Sequence, residues 1–254
     1  TENHIYVIFQ FPEEMNLQTI IDSKGYFPED RLMPLFTDIL LGYLPYFKGK
    51  KLHRNILSKN IYKSNDRFKL LNFPYTQSLG PKGVSSYFYF KNGVPPMEIL
   101  DSYQIKAGSS KIDIWAIGCV FYEAVFGVVP FTGKDSEELL INIENTIKNK
   151  KKFLEELPNP KGIHAEESLR DLLERMLQIY PDDRIDFPEI LKHEFLQKKK
   201  AKHLFYVADY FKQMKHNLEH NLDIFKGLET EFKAALKTCF SLCEVDRLKL
   251  NELD

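Results

Sequence analysis

Apolar residues along this chain follow helical spacing over most of its length. Between Pro28 and Phe47, Leu32, Leu35, Phe36, Ile39, Leu40 and Tyr43 recur at intervals of three and four, which predicts a long amphipathic helix. A shorter helix is expected from Asn16 to Ser23, with Gly25 as its stop signal. Residues 112–126 are apolar nearly all round, the pattern of a helix buried at the centre of a fold. Further helices are expected at about 135–147, 165–178 and 187–193. Strand patterns are few. His4 to Phe11 is rich in β-branched and aromatic residues, and two short candidates, 60–63 and 68–71, flank the turn Ser64-Asn65-Asp66. Residues 74–97 are irregular. The fold class is mainly α with a few short strands.

After Leu196 the pattern changes, and a domain boundary is placed near Gln197. The following segment is polar, with Leu204, Phe211, Leu218, Leu222, Phe225, Phe232 and Leu236 on one helical stripe. Leaving such a stripe in water is costly, since each buried Leu or Phe is worth about 1.5–3 kcal/mol. It either packs back on the preceding domain or docks on another protein as a coiled-coil-like helix, and both readings stay open. The expected organisation is residues 1–13, then a domain over 14–196, then a helical tail over 197–254.

Composition narrows the function classes. The chain has 254 residues, 43% hydrophobic and 28% charged, enough for a sizeable core. A formal net charge of -1 provides no whole-molecule field toward nucleic acid or an acidic membrane. No apolar run approaches the roughly 20 residues that span a bilayer. The first residues lack a signal peptide's basic and then apolar profile, so a cytoplasmic or cytoskeletal setting is expected. Three cysteines, Cys119, Cys239 and Cys243, do not make a disulfide framework, and no metal site is expected from them. The acidic residues between Glu244 and Glu252 lack the glycine and the spacing of a calcium loop.

Candidate chemistry lies in a series of short motifs. His53-Arg54-Asn55-Ile56-Leu57-Ser58-Lys59-Asn60 resembles the His-Arg-Asp-x-x-x-x-Asn catalytic loop of the eukaryotic protein kinases. Asn72-Phe73-Pro74 stands where that family has Asp-Phe-Gly, and Pro96-Met97-Glu98 where it has Ala-Pro-Glu. Asp113-Ile114-Trp115-Ala116-Ile117-Gly118 looks like the Asp-x-Trp-x-x-Gly helix, Pro181–Arg184 like Pro-x-x-Arg, and His193-Glu194-Phe195 like the closing His-x-Phe. Their order and spacing carry the resemblance across residues 4–196. The flavour is serine/threonine-type, with likeness to the Unc-51-like and calcium/calmodulin-related groups. The implied fold is the kinase large, C-terminal lobe, with residues 1–13 as the end of the small lobe and the hinge, and with the small lobe mostly absent from this sequence.

The same resemblance sorts the residues by role. In the family the loop aspartate accepts the proton of the incoming hydroxyl; here it is Asn55, an amide without useful basicity. The lysine that contacts the γ-phosphate is Leu57. The magnesium-binding aspartate is Asn72, a poor ligand for a hard dication, and the mobile glycine is Pro74. Asn60, matching the second metal ligand, remains. By contrast His53, Arg54, Asp113, Trp115, Glu98 and Arg184 match architectural positions. The resemblance implies that Asp113 accepts from the backbone around His53, and that Glu98 and Arg184 form a buried ion pair. The expectation is therefore a pseudokinase, not an enzyme, acting as a scaffold, allosteric partner or structural component, for instance of a cytoskeletal assembly. It needs no cofactor, with magnesium-free ATP binding left open, and its partners are other proteins. The alternative is a serine/threonine kinase with residual or unconventional phosphotransfer from ATP.

Overall fold

A computed structural model describes residues 15–71, 77–78, 94–96, 109–148 and 152–198. The strand expected near the start, the tail stripe from Leu204 to Leu236, and Asn72, Pro74 and Glu98 lie outside the described residues.

Helix α1 spans Leu17–Lys24. It begins where the Asn16 side chain accepts from the Thr19 N–H, and it ends at Gly25 in the left-handed region, φ 77°. Helix α2 runs Glu29–Lys48 and turns its regularly spaced Leu, Ile and aromatic residues inward. Strand β1 (Lys51–Leu52) leads into the loop of interest, which closes with a 3₁₀ turn over Ser58–Asn60. Strands β2 (Ile61–Ser64) and β3 (Arg67–Leu70) form an antiparallel hairpin with Ser64 opposite Arg67. Asn65 takes the left-handed turn position, φ 54°. Both strands are displaced by one residue from the expected 60–63 and 68–71, because Asn60 belongs to the 3₁₀ turn and Leu71 follows the strand.

Strand β4 (Gln77–Ser78) pairs antiparallel with β1. This pairing has no counterpart in the sequence reading. The remaining helices are α3 (Lys111–Phe126), α4 (Ser136–Ile147), α5 (Glu167–Met176), α6 (Phe187–Lys192) and α7 (Glu194–Lys198). Helix α5 is shorter at both ends than expected. Helix α7 was not expected; the extended backbone of His193, ψ 141°, breaks the chain into two short helices.

Helix α3 is the centre of the core. It packs against α1, α2 and α5, and fourteen of its sixteen residues are buried, which explains its lack of a polar face. Phe121 stacks on Phe36 of α2 with ring centroids 3.7 Å apart. Gly118 sits where α3 crosses α5: a Cβ there would lie 3.0 Å from the Met176 Cβ and 3.1 Å from Leu177 Cδ2. A buried ion pair ties the hairpin to α2. Asp38 takes the Arg67 guanidinium, with Nε at 2.9 Å, and also accepts the Phe68 N–H at 2.8 Å.

Candidate functional site

The site grows from the loop between β1 and β2. Arg54 has φ 66°, a conformation that costs a non-glycine residue about 1–3 kcal/mol and persists when its surroundings enforce it. The enforcing group is Asp113, in the first turn of α3. Its Oδ2 accepts the His53 N–H at 2.7 Å and its Oδ1 accepts the Arg54 N–H at 2.9 Å. One carboxylate thus clamps two successive peptide units from inside the lobe. His53 is fully buried, with its ring edge-on to Tyr46 at 4.9 Å, and its Nδ1 accepts the Asn55 N–H.

The two ends of the loop are tied together. Asn60 donates through Nδ2 to the Asn55 carbonyl at 2.9 Å, and its own carbonyl accepts the Leu71 N–H. Asn55 and Asn60 are both buried. Burial pushes the Asp113 carboxyl up to about 6, against the pull of the Arg54 and His53 N–H groups. Burial likewise lowers His53 to about 4, so its imidazole is neutral at pH 7.

A second cluster braces the same N-terminal end of α3. Arg184 is 1% exposed. Its guanidinium donates to the carbonyls of Gln178, Ile179 and Lys111 and lies over the Trp115 ring, 5.1 Å from its centroid. Trp115 is fully buried, and its indole N–H donates to the Val94 carbonyl at 3.0 Å. Lys111 reaches the Arg184 carbonyl and pairs with Asp186. The carboxylate expected opposite Arg184, Glu98, lies outside the described residues.

Beside the loop opens a cavity of about 330 Å³. Asn55, Leu57, Ser58 and Lys59 form one side of it, and Val120, Phe131 and Leu139 give it an apolar wall. Glu123 of α3 also lines it. This carboxyl is buried, and Ser58 Oγ donates to its Oε2 at 2.5 Å. Burial raises the proton affinity of Glu123, and the Asp22 carboxylate adds to that; the hydrogen bonds from Ser58 and Gln18 oppose it. Neither Glu123 nor Ser58 was singled out from sequence. The signal was present: Glu123 is the one charged residue in the last three turns of a helix otherwise buried all round. Among the described residues no three His, Cys, Asp or Glu side chains gather as a metal site. Asn60 is the described residue that matches a metal ligand of the family.

This is the large-lobe arrangement of a kinase fold: a strained loop clamped by the first carboxylate of a buried helix, with an arginine–tryptophan brace at the same end of that helix. The chain belongs to the protein kinase domain family, which it matches over residues 1–196. It is 29% identical over 199 residues to serine/threonine-protein kinase ULK3 of Xenopus laevis, covering 77% of this chain and 40% of that protein. It is 24% identical to serine/threonine-protein kinase nekl-2 of Caenorhabditis elegans, covering 75% and 53%. It is 26% identical to serine/threonine-protein kinase cds1 of Schizosaccharomyces pombe, covering 76% and 41%. The chain therefore spans about half or less of the length of these relatives.

These findings correct one expectation. The reading of the chain as a non-enzyme is overturned, because the family match and the relatives are those of serine/threonine protein kinases. The neutral residues at positions 55 and 72 do not by themselves establish loss of catalysis. No helix among the described residues is long and apolar enough to cross a membrane.

Proposed function

We propose that this chain is the large lobe of a serine/threonine-type protein kinase that transfers phosphate from ATP by an unconventional route, with neutral amides where the family uses carboxylates. The observation that carries this reading is the loop itself. Asn60 is hydrogen-bonded to the Asn55 carbonyl, both residues are buried, Asp113 anchors the preceding His53 and Arg54, and Asn55 lines a cavity of about 330 Å³. Phosphoryl transfer depends chiefly on positioning and charge, and the clamped loop supports the positioning half of that requirement.

The charge half is thinner. Magnesium bound with ATP would neutralise the phosphates, and Asn60 is the described residue that matches a metal ligand of the family. An uncharged amide holds a hard dication weakly, so turnover should be slow and should demand high magnesium. Asn55 retains an amide oxygen that orients a substrate hydroxyl by accepting its hydrogen bond, although it cannot take the proton.

The test is transfer from γ-labelled ATP to a serine-containing peptide library at high enzyme concentration, with Asn60→Ala as the comparison. The expected outcome is slow, magnesium-dependent labelling that Asn60→Ala abolishes. Labelling that survives Asn60→Ala, or none from the wild-type protein at any magnesium concentration, refutes the proposal.

A further inference from the structure

We propose that Lys59 selects substrates by charge, favouring a peptide with an acidic residue two or three places from the serine that receives phosphate; this rests on the phosphotransfer reading above and names its substrate class. From His53 to Asn60 the loop is buried, apart from a half-buried Leu57 and an exposed Lys59. The exposed residue is not slack. The 3₁₀ turn that carries it is closed by the Asn60 N–H, which donates to the Leu57 carbonyl at 2.8 Å. Both neighbours are anchored through their side chains, Ser58 to Glu123 and Asn60 to the Asn55 carbonyl. The Lys59 backbone is therefore fixed, while its side chain leaves on the open side of the turn.

That side is the cavity, which Lys59 lines together with Asn55. The Asn60–Asn55 hydrogen bond folds the stretch between the two residues back on itself, so they are held close across a short, rigid span. In an extended peptide, residues two and three places apart are about 7 and 10 Å apart. A peptide whose serine lies at Asn55 thus brings a residue two or three places away alongside Lys59.

The charge that peptide meets is positive. Among the described residues lining the cavity there are two cations, Arg54 and Lys59, and one carboxylate, Glu123. Glu123 is buried and already accepts hydrogen bonds from Ser58 and Gln18, and Arg54 is buried as well. Lys59 is thus the charge that the cavity presents to solvent. Opposite it stands the apolar wall of Val120, Phe131 and Leu139, which water does not screen. A cleft with charge of one sign and low-dielectric walls concentrates its field on what enters. A carboxylate there is attracted and a lysine or arginine repelled, and the repulsion contributes as much to selection as the attraction does.

Binding of short fluorescent peptides to the full chain, read by anisotropy, tests this without requiring turnover. Each peptide carries a single serine in an alanine–glycine background and one variable residue, Asp or Lys, placed in turn at every position up to three places on either side. At a position two or three places from the serine, the Asp peptide should bind about fivefold more tightly than its Lys counterpart. Lys59→Glu should reverse that order, and Lys59→Ala should bring the two within about twofold. Since the comparison is a ratio between peptides on one protein, a partial folding defect in a variant does not imitate the reversal. No difference between Asp and Lys peptides at any position, no binding of either, or a preference that Lys59→Glu leaves unchanged would each overturn the inference. The same peptides with γ-labelled magnesium-ATP separate it from the reading beneath it. Transfer without charge preference would refute the role of Lys59 and leave phosphotransfer standing. A preference in binding that Lys59→Glu reverses, with no transfer to any peptide, would uphold Lys59 as the selector of bound peptide and refute the phosphotransfer reading.

Discussion

The two sides of the 53–60 loop are built by different rules. On its inner side backbone groups have defined partners: Asp113 takes two backbone N–H groups, His53 takes the Asn55 N–H, and the Asn60 amide takes the Asn55 carbonyl. At the same end of α3, Arg184 satisfies three carbonyls and covers Trp115. On the outer side, facing the cavity, stand a neutral amide, a leucine, a serine and a lysine, and the carboxylate arrives from α3. The inner side carries the His53, Arg54 and Asp113 that resemble the family's motifs, whereas the outer side presents the neutral Asn55 and Leu57 to the cavity. The loop's shape and its chemistry can vary separately, because shape is fixed by backbone hydrogen bonds to Asp113 and chemistry by side chains that those bonds leave untouched.

The most forceful way to break this division is at Asp113, where the inner side is anchored. Asp113→Ala leaves the His53 and Arg54 N–H groups buried without their acceptor and releases the left-handed backbone of Arg54. At about 1–3 kcal/mol for each orphaned donor, the expected loss is about 3–5 kcal/mol in urea unfolding. Asp113→Asn keeps one acceptor oxygen and should lose less than half as much. A loss under about 1 kcal/mol for the alanine variant would mean that the loop holds its shape without the clamp, and the contrast between the two sides would vanish.

The inner side was also the legible one. Helical spacing named the residues that α2 buries, and the all-apolar run of 112–126 marked α3 as central, because burial imposes its period directly on the sequence. Pairing between β1 and β4 left no such trace: each strand is two residues long, too short for alternation to register, and their partnership is set by tertiary placement. The 3₁₀ turn at Ser58–Asn60 shifted both hairpin strands by one residue for the same reason. Glu123 was overlooked because a single carboxylate in an apolar run does not disturb the period. Its meaning appears once Ser58, 65 positions away, is seen to touch it.

Next in size is a pair of opposed pH effects on the same clamp. His53 in the folded protein lies near 4, below its ordinary value of 6.5, so its contribution is present above pH 6.5 and is lost as pH falls toward 4. Asp113 lies near 6, above its ordinary 3.8, so its contribution is present below pH 3.8 and is lost as pH rises through 6. Each amounts to about 3 kcal/mol between pH 7 and pH 4, with opposite sign. Between them the wild-type stability should change little over that window. His53→Gln should expose the Asp113 arm, so that the variant gains stability on acidification. Asp113→Asn should expose the His53 arm and lose stability over the same range. Urea midpoints at pH 7, 5.5 and 4 read the two arms. Two variants sloping in the same direction would show that these groups do not titrate as a buried pair.

The smallest effect sharpens the comparison at its far end, in the glycine that closes the Asp-x-Trp-x-x-Gly pattern. Gly118 faces α5 so closely that a methyl group would sit 3.0 Å from the Met176 Cβ and 3.1 Å from Leu177 Cδ2, both in fully buried residues. Alanine in mid-helix gains about 1 kcal/mol over glycine through backbone entropy. Forcing a methyl into a close-packed crossing costs about 1–3 kcal/mol. Met176 cannot swing its Cβ away without moving the α5 backbone, so the packing cost should win by about 1 kcal/mol. Gly118→Ala is therefore expected to lower the melting temperature by a few degrees while leaving phosphotransfer per folded molecule unchanged, because the crossing lies behind α3 and away from the cavity lining. An alanine that stabilised the lobe would show that α5 yields at this point, and that the glycine of the motif is not held there by the packing of α3 on α5.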